Sequence, residues 1–236
     1  MPKSVLWLRC EKKEFERRSA LTPTTAKKLI DAGFEIIVER DEQRIFDDEE
    51  FEKYTFLSIT GVQSLMSKSR VGCKLVENNS WPSAPKDTPI IGLKELPESD
   101  EPLPHTHIQF AHCYKRQAGW SKVLSRFHRG EGTLYDLEFL TDASGRRVAA
   151  FGFHAGFAGA AAGTLAFAAQ MKGITLGHLE PYVNEEAMIS AVKAALGGSG
   201  KSIKALVIGA LGRCGRGAVD LFRKIGLNEY VLTNVT

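Results

Sequence analysis

The chain has 236 residues, of which 43% are hydrophobic and 25% charged, with a formal net charge of +3. That is the composition of a globular protein with a packed core, and lysines and arginines scattered among acids argue against nucleic acid or a membrane surface as a partner. No apolar run reaches bilayer length and the N-terminus lacks the apolar core of a secretory signal, while Cys10, Cys73, Cys113 and Cys214 have neither metal-ligand nor disulfide-framework spacing, so a cytoplasmic protein without a metal site is expected.

Val5-Leu6-Trp7-Leu8 reads as a first strand, followed by a charged loop, Glu11 to Arg18, of a kind that is usually solvated. Thr22-Pro23 then opens a helix through Ala32, with a hydroxyl cap and proline at the first helical position, and Gly33 ends it. Phe34–Glu39 is a second strand and Asp47–Tyr54 an acidic helical piece. This alternation predicts an α/β fold with a parallel sheet. Residues 55–71 have no clear period and read as an insertion or loop. Beyond them, Pro89–Leu93 and Thr106–Phe110 are strands, Gln117–Arg129 is a helix and Leu134–Leu140 a strand. Asp142-Ala-Ser-Gly145 makes a hairpin turn into a strand at Arg147–Phe151. Ala155–Met171 is almost all Ala, Gly, Phe and Leu, which predicts a helix buried on most sides. Asn184–Leu196 is an amphipathic helix, and Gly197–Gly200 a flexible joint.

The β-branched strand Ile203–Ile208 runs into Gly209-x-x-Gly212-x-x-Gly215-x-Gly217 and a helix, Ala218–Ile225. A glycine turn between strand and helix lets the backbone approach a pyrophosphate seated on the helix N-terminus, which predicts the first βα unit of a Rossmann-type nucleotide domain. The acidic partner of the adenosine ribose, expected about 20 residues on, is not found. The closing strand, Tyr230–Thr236, ends in hydroxyls and an amide.

Ligands of open α/β sheets sit at the C-terminal ends of the strands, which directs attention to residues just past each strand. Lys94, in Gly92-Leu93-Lys94-Glu95, is either a ligand-facing amine or a solvated loop lysine. His112, in Phe110-Ala111-His112-Cys113-Tyr114-Lys115, is either an acid–base group or a satisfied interior residue. His105 and His107, beside a proline and at the start of a strand, read as ordinary surface groups. Arg146-Arg147 can clamp carboxylates or simply decorate a hairpin.

Taken together, Arg18-Ser-Ala-Leu-Thr-Pro-Thr24, Ile91-Gly-Leu-Lys-Glu-Leu-Pro-Glu98, His107–Lys115, Gly132–Leu140, Gly145–Gly152 and Gly209–Gly215 resemble fungal saccharopine dehydrogenase. That family is related to alanine dehydrogenase and to the transhydrogenase N-terminal domain. The resemblance implies an NAD-dependent, lysine-forming enzyme with its active site in a cleft between Rossmann-like halves. It implies saccharopine, lysine and 2-oxoglutarate as small-molecule partners, with the protein acting as a monomer. Lys94 and His112 would be the acid–base pair. Arg18, Gln117, Arg147 and Phe151, with Lys94, would contact the substrate. Lys13 and Lys115 would lower the pKa of the base, with Glu16 and Glu138 opposing them. Arg146, Gly209, Gly212, Arg213 and Gly215 would contact NAD.

The expected organisation is a catalytic domain over 1–152, a buried interdomain and linker helix pair over 153–200, and an incomplete NAD-binding domain over 201–236. Residues 55–71 interrupt the family pattern, and the chain ends before the remaining nucleotide-domain strands. Both departures suggest a truncated or mis-spliced product. The alternative expectation is therefore a non-catalytic chain that binds substrate or a partner without turnover.

Overall fold

Parallel strands need crossovers, and the first one here is set by its cap. In the computed structural model, which describes residues 4–52, 72–197 and 203–232, strand β1 (Val5–Leu8) leads to helix α1 (Pro23–Asp31). The Thr22 hydroxyl accepts from the Thr25 N–H at 3.2 Å, while the Thr25 hydroxyl accepts from the Thr22 N–H at 2.8 Å, a reciprocal capping box in front of Pro23. Gly33, at φ +98°, then turns the chain into β2 (Glu35–Glu39). Helix α2 (Asp48–Glu52), β3 (Lys74–Val76), β4 (Ile90–Ile91), β5 (Thr106–Gln109), α3 (Trp120–Gly130) and β6 (Thr133–Asp136) follow. The expected insertion at 55–71 lies outside the described residues.

These strands form one all-parallel sheet in the order β3-β2-β1-β4-β5-β6. The order reverses between β1 and β4, which is the topological switch point where such sheets bind ligands. Both faces of the central strands are covered, so β1, β2 and β4 carry continuous apolar runs. Leu8, Ile36 and Val38 pack with Ala26 and Phe51 on one face, and Trp7, Ile37 and Ile90 with Ala84 on the other. Strand β3 was not foreseen; three residues beside an aperiodic stretch give too short a pattern to read. The expected strand at Arg147–Phe151 is reduced to a single antiparallel bridge, Thr141 to Arg147. The Asp142 turn itself is present: the Asp142 carboxylate accepts from the Ser144 and Arg146 N–H groups at 2.9 and 3.0 Å.

A second unit spans Ala150–Thr236, the first being Met1–Ala149. It contains α4 (Phe153–Met171), α5 (Glu185–Leu196, capped by the Asn184 side chain), β7 (Lys204–Ile208), α6 (Arg213–Ile225) and β8 (Asn228–Leu232). Strands β7 and β8 pair in parallel around α6. Phe157, Ala161, Leu165 and Ala168 of α4 share a core with Val192 and Leu196 of α5 and Leu221 and Ile225 of α6. Helix α4 is thus buried along one stripe, not on most sides, since Phe167 and Met171 are 42% and 53% exposed. Of its glycines, Gly156 serves close approach, since a Cβ there would lie 1.8 Å from the Cys214 carbonyl oxygen, whereas Gly159 and Gly163 have open space around them. Helix α6 starts at Arg213 and not at Ala218, because Gly215 and Gly217 lie within it as packing residues. A Cβ on Gly217 would lie 1.9 Å from the Phe153 carbonyl oxygen.

Candidate active site

The C-terminal ends of β1, β4, β5 and β6 converge polar groups at the switch point of the sheet. Lys94 follows β4 and His112 follows β5, and these strands are adjacent, with Ile91 opposite Ile108. The pairing continues to the base of both residues, since the Phe110 N–H donates to the Leu93 carbonyl at 3.1 Å. Neighbouring strands lie about 4.8 Å apart, so Lys94 and His112 leave the sheet side by side.

The His112 imidazole stands between carboxylates. Its Nε2 is 3.9 Å from Glu95 Oε1 and its Nδ1 is 3.9 Å from Glu138 Oε2. The side chain is 21% exposed, stacks on Phe110, and its buried Nδ1 has no hydrogen-bond partner. The backbone of His112 is left-handed, at φ +54°, a conformation that costs a non-glycine residue about 1–2 kcal/mol. Such strain persists only where the surroundings fix the residue.

Glu138, 10% exposed, collects cations: Arg147 Nη2 at 2.9 Å and the Lys115 ammonium. The hydrogen bond from Lys115 leads in holding its carboxyl below the usual range, with the charges of Arg147 and His112 adding to it against burial. Across the site Glu16 accepts a two-point contact from Arg18, at 2.7 Å from Nε and 2.5 Å from Nη2. Burial opposes ionisation of Glu16, but the Arg18 hydrogen bonds and the Arg18 and Lys94 charges together hold its pKa low. Lys13 lies 3.7 Å from Glu95. Each cation expected to tune the base, Lys13 and Lys115, is therefore already paired with an acid.

Beneath these groups lies a buried layer. Arg9 is 2% exposed; its guanidinium donates to Glu11 at 3.3 Å, to Gln109 Oε1 at 3.2 Å and to the Lys94 carbonyl. Glu11, 6% exposed, accepts from the Leu93 N–H at 2.7 Å and the Lys94 N–H at 3.0 Å. Gly92 is glycine because Arg9 lies against it: a Cβ there would be 2.3 Å from Arg9 Nε. Asp136, 3% exposed, accepts from the Cys113 N–H at 3.0 Å, the Glu138 N–H at 3.2 Å and the Ala111 N–H at 3.3 Å.

The structure thus gathers Lys94, His112, Lys13, Glu16, Arg18, Lys115, Glu138 and Arg147 in the first unit. Gln117 is exposed, just after the left-handed Arg116. Arg146 is exposed on the Asp142 turn. Phe151 belongs to the second unit and is 76% exposed. The Glu11–Arg18 loop is mostly exposed, with Glu11 and Glu16 buried under backbone amides and a guanidinium. One reading, that of the histidines, is overturned. His105 and His107 are core residues, 2% and 0% exposed, with His107 edge-on to Trp81 and Phe127. Proline before a strand signals a boundary, not exposure. Sequence reasoning passed over Arg9, Gln109 and Asp136; a polar residue at the C-terminal end of a strand was the available signal.

In the second unit the turn after β7 fits a pyrophosphate. Gly209 adopts φ +73°, which suits glycine, and a Cβ on Gly215 would lie 2.1 Å from the Gly209 carbonyl oxygen. Gly212 caps α6 and Arg213 is its first residue, so the first-turn amides face the glycine turn.

The comparisons bear on family and fold. The alanine dehydrogenase/PNT N-terminal domain family matches residues 7–158. The chain is 56% identical to saccharopine dehydrogenase [NAD(+), L-lysine-forming] of Emericella nidulans, over 97% of this chain and 59% of that protein. With its counterpart in Yarrowia lipolytica the identity is 55%, over 95% and 58%. The chain therefore spans about three-fifths of the length of these curated relatives. Among solved structures, a transhydrogenase from Sinorhizobium meliloti shares the fold with a TM-score of 0.53 at 16% identity, over 97% of this chain and 58% of that one. No helix among the described residues is long and apolar enough to cross a membrane. With a six-stranded parallel sheet and a family match over most of it, the chain belongs to the alanine dehydrogenase/PNT N-terminal domain family.

Proposed function

We propose that this chain carries the acid–base site of an NAD-dependent saccharopine dehydrogenase, which converts saccharopine, NAD⁺ and water to lysine, 2-oxoglutarate, NADH and a proton. The observation that carries this reading is the pairing of Lys94 and His112 on adjacent strand ends at the switch point, with His112 flanked by Glu95 and Glu138. The similarity to fungal enzymes of that name supports the choice of substrate.

NAD, when bound, supplies the hydride acceptor, and the Gly209–Arg213 turn would hold its pyrophosphate. The chain's own residues handle protons. Lys94 accepts the proton of the secondary amine as the substrate becomes an imine. His112 then takes a proton from water as it adds to the imine carbon, returns one to the lysine nitrogen as that C–N bond breaks, and takes up the carbinol O–H proton as the 2-oxoglutarate carbonyl forms. A positioned acid or base contributes about 10²–10⁴-fold. Arg18 and Arg147 answer the three substrate carboxylates. Both are well exposed, with side chains 60% and 42% accessible, and the five-donor guanidinium can serve Glu16 or Glu138 and a substrate at once.

The test is saccharopine-dependent NADH formation followed by absorbance. Lys94→Met and His112→Gln are each expected to lose about 10²-fold or more in kcat with an unchanged circular dichroism spectrum. Wild-type turnover in both variants would remove the pair from the reaction.

A further inference from the structure

Two buried carboxylates play the same part on opposite sides of the site. Glu11, just past β1, accepts the N–H groups of Leu93 and Lys94. Asp136, at the end of β6, accepts those of Ala111 and Cys113, on either side of His112, and also the N–H of Glu138, the carboxylate beside His112 Nδ1. In strand order, β1 and β6 flank the two strands, β4 and β5, that carry Lys94 and His112. Each flanking strand therefore sends one acceptor inward to grip the turn of its neighbour.

The two grips are joined. Arg9 donates to Glu11 and to Gln109, and Gln109 sits opposite Asp136 in the β5–β6 register. The absence of a side chain at Gly92 lets the guanidinium lie against that backbone. Nothing in this layer points at solvent: Arg9, Glu11, Gln109 and Asp136 are all at or below 6% exposure. A carboxylate that accepts backbone N–H groups makes charge-assisted hydrogen bonds, stronger than neutral ones and directional. That is what a strained residue such as His112 and a long, flexible one such as Lys94 require to present a reproducible geometry.

We infer that Glu11 and Asp136 are a matched pair of positioning residues, one setting the backbone beneath Lys94 and the other that around His112 and Glu138. Neither touches the reacting atoms. The inference rests on the acid–base reading of Lys94 and His112 for its consequence in catalysis, but the backbone grip is a separate, measurable fact.

The experiment compares the full chain with Glu11→Gln and Asp136→Asn by backbone amide exchange and by turnover. In Glu11→Gln the Leu93 and Lys94 amides are expected to exchange about tenfold faster or more, as loss of a charge-assisted hydrogen bond implies, while Ala111 and Cys113 keep their protection. Asp136→Asn is expected to do the reverse. In both, kcat falls by about 10²-fold, the scale of a 1 Å misplacement, with KM for NAD unchanged. A merely structural role would instead loosen the sheet generally, including the Ile36–Val38 amides, and leave kcat alone. Should either variant fail to fold, Glu11→Asp and Asp136→Glu keep the charge, shift it by one methylene and carry the same readout. Unchanged exchange at the target amides, or general loosening of the sheet, would overturn the proposal. So would full kcat in the face of inactive Lys94→Met and His112→Gln. If those last two variants turn over normally, the saccharopine reading fails, and the exchange pattern alone still decides the grip.

Discussion

Ile90 in β4 and Ile208 in β7 are both isoleucines in parallel strands of βα units, yet the first is fully buried and the second 65% exposed. In the first unit, helices and turns cover both faces of the central strands β1, β2 and β4, and an edge strand is left open, with Tyr135 of β6 50% exposed. In the second, α6 covers one face of β7, where Val207 packs with Val219 and Ala210, and leaves Leu206 and Ile208 outward. The same apolar strand composition thus yields a closed core in one place and a bare face in another. What decides is how many layers the topology stacks on it, and Lys94 and His112, the proposed acid–base pair, belong to the closed unit.

The contrast breaks most visibly under truncation of the core. Ile90→Ala is expected to cost about 2–5 kcal/mol, and Ile208→Ala less than about 0.5 kcal/mol, both read from urea unfolding. Equal losses would mean that the bare face is covered in solution. Gly217→Ala sharpens it further. The added methyl would strike the Phe153 carbonyl, and the repacking of α4 against α6 is expected to cost about 1–3 kcal/mol. An unaffected melting temperature would show that those helices are not in contact.

A smaller effect reports on the first core through pH. Burial, then the charges of Arg9, His105 and Arg126, push the His107 imidazole down from 6.5 to about 3. The folded protein keeps it neutral, while the unfolded chain protonates it below pH 6.5. Stability from this residue is therefore full above pH 6.5 and declines as pH falls toward 3. Between pH 6.5 and 4.5, above the range of the depressed carboxyls of Glu16 and Glu138, His107→Phe should flatten the fall in Tm. Parallel curves for variant and wild type would mean that His107 is accessible.

Local signals in the sequence were legible because they act locally. Thr22-Pro23, Gly33 and the Asp142 turn each satisfy backbone groups within a few residues, and all appear as read. A strand end is also a local feature, so Lys94 and His112 lie just past β4 and β5 as read, while their choice as a pair came from the family resemblance. What fills the space beneath them is not. Arg9 meets Gln109 and Glu11 meets Leu93 across strands that the chain visits far apart. Charged residues in a loop look solvated until the topology lays a neighbouring strand end over them. His105 and His107 were misread for the same reason, since their partner, Trp81, arrives from a distant 3₁₀ turn.

The most direct measurement of the central claim is the pH dependence of kcat/KM for saccharopine in wild type, Lys94→Met and His112→Gln. Two groups that exchange protons with the substrate predict a bell-shaped profile in wild type, with one limb missing in each variant and a different limb in each. Both limbs surviving in both variants would contradict the account.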